Sequence, residues 1–387
     1  MPSLRACIDE ALMATSAKRL APTVERLIAT YRSGDAATAP ILSTAAEVFA
    51  YAAYRMPATY AVAHAVLAAM QATAPDVQPQ TLVDFGAGTG AFGWAATELW
   101  PTVTELFLLE QAEHAVALGR SLAQASGRST LQTARWISWR LGDAGHDIVG
   151  DVASAAYVLG ELSPDQQGRL LDTMAATAPV VVLIEPGTPA GFARIIAARD
   201  ALLASGHTIV APCPHEFACP MLAKHDWCHF AARLDRSRLH REVKGGDVSY
   251  EDEKFSYVVA KRLTAGVGNT RNARIVRHPR QRKGLVSLQL CTPSGSAVEQ
   301  LVAKSQGMAY RFARDARWGS TWLGPTPAPS TEESPMPDDA AKDLEAQAKK
   351  HIDDMPAETA LGNADPEGGG EGTPAEYVAE HEGKGGK

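Results

Sequence analysis

Cysteine is scarce, with 5 residues in 387. Long apolar runs are missing: no stretch approaches the ~18–20 residues that span a bilayer, so no membrane attachment of that kind is expected. Residues 1–20, MPSLRACIDEALMATSAKRL, lack the apolar core of a secretory signal. They carry Asp9 and Glu10, unlike an acid-poor transit peptide. These features lead us to expect a cytoplasmic protein of bacterial type. In such a reducing compartment cysteines serve as metal ligands or nucleophiles rather than disulfides. Internal repeats are also lacking, which excludes a solenoid. With 45% hydrophobic and 21% charged residues, the composition is that of an ordinary globular chain, long enough for two or three domains.

Charge of one sign is lacking overall but not locally. The net charge is −7. Residues 224–317 hold 19 Lys and Arg against 9 Asp and Glu, whereas residues 325–387 hold 5 against 15. A basic block therefore precedes an acidic tail. The block points to a polyanionic partner, and its plain alternative is a solvated, salt-bridged surface. The tail is rich in Pro, Gly and Glu, and disorder is expected over 325–387.

Apolar residues recur at helical spacing across 1–75, for example Leu20, Val24, Leu27 and Ile28. Tyr51, Tyr54, Arg55 and Tyr60 give this helical region a face expected to pack on the next domain. Within a domain read as 76–265, residues 76–205 alternate strand and helix patterns: TLVDFGAG, TELFLLEQ, ASAAYVLGEL and PVVVLIEPG are strand candidates separated by helices. PVVVLIEPG is continuously apolar and β-branched, as in a strand buried on both faces. FARIIAARDALLASG is a helix ending at Gly206. A mainly parallel, doubly wound α/β sheet follows from this alternation. Residues 206–250 interrupt it with a cysteine-rich insertion, and KFSYVVAKR is read as a last strand closing the sheet. Residues 266–324 are a small β-rich extension.

The stretch from Val83 to Gly90, VDFGAGTG, lies between a strand and a helix, where glycines let the backbone approach a ligand closely. The pattern is G-x-G-x-G, not the G-x-G-x-x-G of dinucleotide sites. Asp84 precedes Gly86, and Gly88 and Gly90 complete the turn. Glu110 ends the next strand, where a carboxylate can accept both ribose hydroxyls. Together these resemble the S-adenosylmethionine (SAM) loop of class I methyltransferases. Asp143, after the third apolar stretch, matches the acid that contacts the adenine amine in that fold. The Asn/Asp-Pro-Pro-Tyr/Phe motif of amine methyltransferases is missing; Tyr157-Val158-Leu159-Gly160-Glu161-Leu162 stands in its place. Glu161 is the one catalytic-base candidate, and equally a helix N-terminal acid favoured by the macrodipole.

Three of the cysteines, Cys213, Cys219 and Cys228, fall within APCPHEFACPMLAKHDWCHF. Their spacing is not the paired C-x2-C of zinc ribbons. Cys291 is the natural fourth ligand. Four thiolates at irregular spacing suit an iron–sulfur cluster. Three with His215, His225 or His229 suit zinc, and a set of small buried apolar residues is the plain reading. Pro212-Cys213 also contains the dipeptide of RNA cytosine-C5 methyltransferases, but after a different strand. Arg233, Arg236, Arg238, Arg241 and Lys244 follow as candidate phosphate contacts. Trp227 and Phe230 could stack on bases or pack the cluster.

The segments APCPHEFACP, DWCHFAARLDRSRLHR, SYEDEKFSYVVAKR and LQLCTPSG, with YVLGEL and LIEPGTPAGF, resemble the Rsm-type methyltransferase-like proteins. That family is associated with the small ribosomal subunit of mitochondria and has bacterial relatives. The resemblance covers roughly residues 40–310. It implies a class I methyltransferase fold and a [4Fe-4S] cluster on Cys213, Cys219, Cys228 and Cys291. It also implies a role on the small ribosomal subunit through rRNA, as methyltransferase or as assembly factor. A small-molecule methyltransferase with a zinc site is the remaining alternative.

Overall fold

The computed structural model describes residues 1–33, 42–143, 147–245, 247–262 and 272–325. The stretch 326–387 of the expected acidic tail lies outside the described residues. Four helices open the chain: α1 (Leu4–Ala11), α2 (Ala17–Ser33), α3 (Ala45–Tyr54) and α4 (Met56–Thr73). Helix α3 starts at a reciprocal cap. The Thr44 hydroxyl accepts from the Glu47 amide, and the Glu47 carboxylate accepts from the Thr44 amide at 2.9 Å. Helix α4 buries Val62, Val66, Leu67 and Met70, three and four residues apart, in the same core as Trp94 and Leu106.

The central sheet is laid down by β1 (Thr81–Phe85), α5 (Ala91–Leu99), β2 (Glu105–Leu109), α6 (Glu113–Ala125), α7 (Ser129–Gln132) and β3 (Arg135–Ile137). It continues with β4 (Val152–Ala156), α8 (Pro164–Thr177), β5 (Val180–Pro186), α9 (Pro189–Ala204) and β6 (His207–Ala211). The cysteine-rich segment contributes α10 (Pro220–Ala223), β7 (Phe230–Asp235) and α11 (Arg238–Lys244) before β8 (Tyr250–Arg262). Strand order is β3-β2-β1-β4-β5-β8-β6, with β7 added on β8. Strands β1 to β5 pair in parallel, and β8 runs antiparallel to both β5 and β6. The order reverses between β1 and β4, so the ligand crevice of such a sheet opens at their C-terminal ends. Strand β5 is buried from Val180 to Glu185, as its continuous apolar run implies.

Two strands differ from the sequence reading. KFSYVVAKR does not close the sheet; it lies inside, between β5 and β6. HTIVA, read as the start of the insertion, is the edge strand β6. Thr208, Ile209 and Val210 are β-branched and favour a strand, but the run is short and abuts a cysteine-rich turn, and its partner β8 comes some forty residues later.

A second, antiparallel sheet holds β9 (Arg274–Ile275), β10 (Arg280–Arg282), β11 (Leu285–Cys291) and β12 (Ala297–Ala303). Helix α12 (Met308–Asp315) follows, and its Ala313 joins Val286, Leu288, Leu290, Val302 and Trp322 in a separate small core.

Gly187, between β5 and α9, lets the β8 backbone pass against it. A Cβ there would stand 2.7 Å from the Phe255 nitrogen and 2.8 Å from the Lys254 carbonyl carbon. The β8 backbone cannot give way as a flexible side chain could, so Gly187→Ala should destabilise the fold by about 1–3 kcal/mol. A lowered midpoint of urea unfolding is the expected outcome.

Candidate functional site

The glycine loop is built by its backbone. Gly86, Gly88 and Gly90 all have positive φ, at 68°, 55° and 87°. Side chains rarely adopt three left-handed residues within five positions, so this turn requires glycine. A Cβ on Gly86 would also meet Val158 at 2.7 Å. The carboxylate of Glu110, at the end of β2, accepts from the Gly88 amide at 2.8 Å and from the Ala112 amide at 2.7 Å. It therefore stands at the mouth of the loop. Asp84 points elsewhere. It is buried and accepts from the Ser154 hydroxyl at 2.7 Å across the β1–β4 ladder. Burial, with some repulsion from Glu110, raises its pKa to about 7. Asp143 is exposed after β3, where its carboxylate accepts from the Arg140 amide at 2.7 Å. Its carboxylate is thus engaged in closing its own turn rather than joined to the loop.

Glu161 ends a short 3₁₀ turn after β4. Burial, then repulsion from Glu110 and Glu185, raises its pKa to about 7. A carboxyl poised near neutrality can take a proton. Glu185 is fully buried. It accepts from the Leu159 amide at 3.0 Å and from Arg194 Nε at 2.7 Å, which fixes the turn carrying Glu161.

The N-terminal helices complete this crevice. The Tyr51 hydroxyl lies 3.9 Å from the position a Cβ on Gly88 would take. Burial raises the Tyr51 pKa; Glu110 and Glu161 add to the rise, and Thr59 and Arg55 oppose it. Arg55 donates to Glu253 at 2.6 Å and sits 4.3 Å above the ring of Tyr157. Tyr157 has φ of 63°, a left-handed conformation uncommon outside glycine and often found at functional sites. The sequence signalled these helices only as a packing face. Their approach to the glycine loop is a long-range contact.

The four cysteines Cys213, Cys219, Cys228 and Cys291 line one small cavity of about 30 Å³, together with Arg199, His215 and Tyr257. Burial, and the nearness of the other cysteines, raises the pKa of Cys219 to about 12 and shifts Cys228 and Cys291 upward as well. His215 Nε2 lies 3.3 Å from Cys291 Sγ. His225 and His229 do not line the cavity. His229 is instead stacked on Trp227, and Trp227 donates to the Gly187 carbonyl at 2.9 Å. Phe230 is buried against Phe255 and Tyr257, so it serves the core rather than a base. Among the described residues no three His, Cys, Asp or Glu side chains converge closely enough to hold a single ion. The cysteines surround a space instead of meeting at a point.

Three arginines unremarked in the sequence hold this loop. Arg199 donates to the carbonyls of His215 and Phe217 at 3.3 and 2.7 Å. Arg274 donates to the Pro212 carbonyl at 3.1 Å, and Arg277 to Asp226 at 2.5 Å and the Trp227 carbonyl at 3.1 Å. Arg199 did leave a signal: it shares the buried face of α9 with Phe192, Ile195, Ile196 and Leu202.

The candidate phosphate contacts lie on β7, α11 and the turn between them. Arg233 is paired with Asp252, Arg236 and Lys244 with Glu251, and Arg238 with Glu242. Arg241 is half-buried on α11. Four of these five cations thus have a carboxylate partner, which weakens their joint field.

A sheet of this order, with one reversed strand and a glycine loop facing an acid at the switch point, defines a methyltransferase-like protein. The family described as mitochondrial small ribosomal subunit Rsm22 matches residues 45–323, and the chain belongs to that family. The human mitochondrial ribosome assembly protein METTL17 is 30% identical over 279 residues, covering 67% of this chain. Rsm22-cox11 tandem protein 2 of Schizosaccharomyces pombe, also mitochondrial, is 30% identical over 185 residues, covering 36% of this chain. The chain spans 60% of the human relative's length and 24% of the yeast relative's. Magnesium protoporphyrin IX methyltransferase of Synechocystis, with bound SAH, aligns with 53% of this chain and 84% of its own at 12% identity and TM-score 0.36. Among the described residues no helix is long and apolar enough to cross a membrane.

The raised pKa of Glu161 has a sign. The folded state binds its proton more tightly than the unfolded chain, so stability falls as pH rises from about 4 to about 7. Glu161→Gln should match wild type in urea melts near pH 4. It should become progressively the more stable protein as pH rises from about 4.5 to about 7, with the gain level above that.

Proposed function

We propose that this protein acts in maturation of the small ribosomal subunit, binding rRNA, SAM at its glycine loop and a [4Fe-4S] cluster among its four cysteines. The observation that carries the reading is the convergence of Cys213, Cys219, Cys228 and Cys291 on one cavity beside a methyltransferase crevice, in a chain of this family. The compartment we assign is a bacterial-type cytoplasm, although the relatives named above are mitochondrial.

The donor set fits a cluster better than one zinc ion. A cluster takes thiolates on separate irons, so thiols spread around a cavity suit it, whereas zinc needs four donors at one centre. The raised thiols of Cys219, Cys228 and Cys291 remain protonated until a cation lets them ionise. Bound there, the cluster would join the β6–β7 segment to β11 and stiffen both. Each of Cys213→Ser, Cys219→Ser, Cys228→Ser and Cys291→Ser should strip iron and acid-labile sulfide from the purified protein and lower its melting temperature. Retention of full iron and sulfide by any one of them removes that residue from the ligand set.

In the crevice, Glu110 would exchange its bond to the Gly88 amide for the ribose hydroxyls of SAM. Asp143 would approach the adenine. SAM supplies an activated methyl group, and Glu161 would accept the proton released by the acceptor. Binding without transfer is the second reading. One observation favours it: the ring of Tyr157, in the place of the missing amine motif, is already covered by Arg55. Gly88→Arg with Glu110→Ala should weaken SAM binding by roughly 10- to 100-fold, through the lost charged hydrogen bonds. Mass spectrometry of small-subunit rRNA from cells carrying this variant then separates the readings. One missing methyl group supports transfer, whereas a full complement with stalled subunits supports a SAM-binding assembly factor.

A further inference from the structure

The basic block is not uniform. Residues 224–262 hold 9 Lys and Arg against 7 Asp and Glu, while residues 273–323 hold 9 against only 2. The positive excess therefore belongs to the small C-terminal sheet and not to β7 and α11. Two of its arginines, Arg274 and Arg277, turn inward to hold the cysteine segment. Arg280, Arg282, Lys283, Lys304, Arg311 and Arg314 are all exposed. Among the described residues none of these six forms an ion pair with a carboxylate. Of the two acids in this region, Glu299 accepts from the Ser287 hydroxyl at 2.5 Å, and Asp315 ends α12.

The fold gathers these six cations at one corner. Among the described residues strand β10 is an edge, paired only with β11. Gln281 Nε2 donates to the Arg314 carbonyl at 2.9 Å, which ties the middle of β10 to the end of α12. The Lys304 amide donates to the Gly284 carbonyl at 2.8 Å, which sets Lys304 beside the turn carrying Lys283. Strand pleating turns Arg280 and Arg282 to the face opposite Gln281, so cations flank the β10 edge from both sides. Helix α12 adds two exposed apolar side chains four residues apart, Met308 at 60% and Phe312 at 43% exposure.

We infer that this corner, along β10 and the outer face of α12, is the RNA-binding surface of the protein. Unpaired cations neutralise phosphates and release counterions, and an exposed aromatic ring stacks on an unpaired base. The inference rests on the rRNA reading above and assigns its contacts to different residues from those the sequence suggested.

The test measures binding of the full-length, wild-type protein to a fluorescent single-stranded fragment of small-subunit rRNA, across a salt series. Arg280→Ala, Arg282→Ala and Lys283→Ala combined should reduce the slope of log affinity against log salt by about 2, at ~0.7 per phosphate contact. Phe312→Ala should weaken binding roughly tenfold with the slope unchanged. Arg238→Ala with Arg241→Ala should leave both nearly as in wild type. If wild type binds RNA and the triple variant keeps its slope while the Arg238 and Arg241 variant loses it, the surface is overturned and the rRNA reading stands. If wild type binds anionic phospholipid vesicles but no rRNA fragment, both fall.

Discussion

Strand β8 carries the backbone hydrogen bonds of three other strands. Its second half, Phe255–Arg262, runs antiparallel between β5 and β6, and its first half, Tyr250–Phe255, takes β7. A buried strand must have both edges paired, because orphaned amide groups inside a protein are costly. The edge strand β6 and the cysteine-rich segment therefore depend on this one return of the chain. Gly187, with β8 backbone against it, and Glu253 on β8, which holds Arg55, tie the same strand to the crevice. Crevice and cysteine cavity share a single scaffold.

The crevice concentrates acids. Asp84, Glu110, Glu161 and Glu185 lie near one another, and among the described residues only Glu185 has an arginine directly on it. Two of the acids respond by holding protons near neutral pH. Such an arrangement favours ligands that bring positive charge or hydroxyl donors, as the SAM proposed for it would. The N-terminal helices limit solvent access to it through Tyr51 and through the stack of Arg55 on Tyr157. Removing water strengthens each of these electrostatic interactions.

The cysteine segment is ordered by arginine forks as well as by the small core that buries Cys219, Met221 and Leu222 against Phe192 and Ile196. Arg199 from α9, Arg274 from β9 and Arg277 from the β9–β10 connection fix the carbonyls of Pro212, His215, Phe217 and Trp227, which flank Cys213 and Cys219 and precede Cys228. The planar guanidinium presents several donors in a fixed geometry, so one side chain can hold two backbone positions. The thiols are thereby held around a cavity by protein contacts alone.

Much of the fold was legible locally. The alternating pattern of 76–205 and the buried run of β5 determine a doubly wound sheet, and the three glycines determine a loop that only glycine can make. Glu110 was found because a strand end is defined by its distance from that loop. The cysteines were recognisable as a group, since three within sixteen positions stand out in a chain with so few. What the sequence could not determine lay in long-range partners. β6 exists as a strand through β8, Tyr51 and Arg55 reach the loop from a separate helical region, and the arginines near Cys228 are neutralised by carboxylates on a strand still to come. Periodicity and spacing report a residue's own element, whereas its charge balance and neighbours are decided only when distant elements pack.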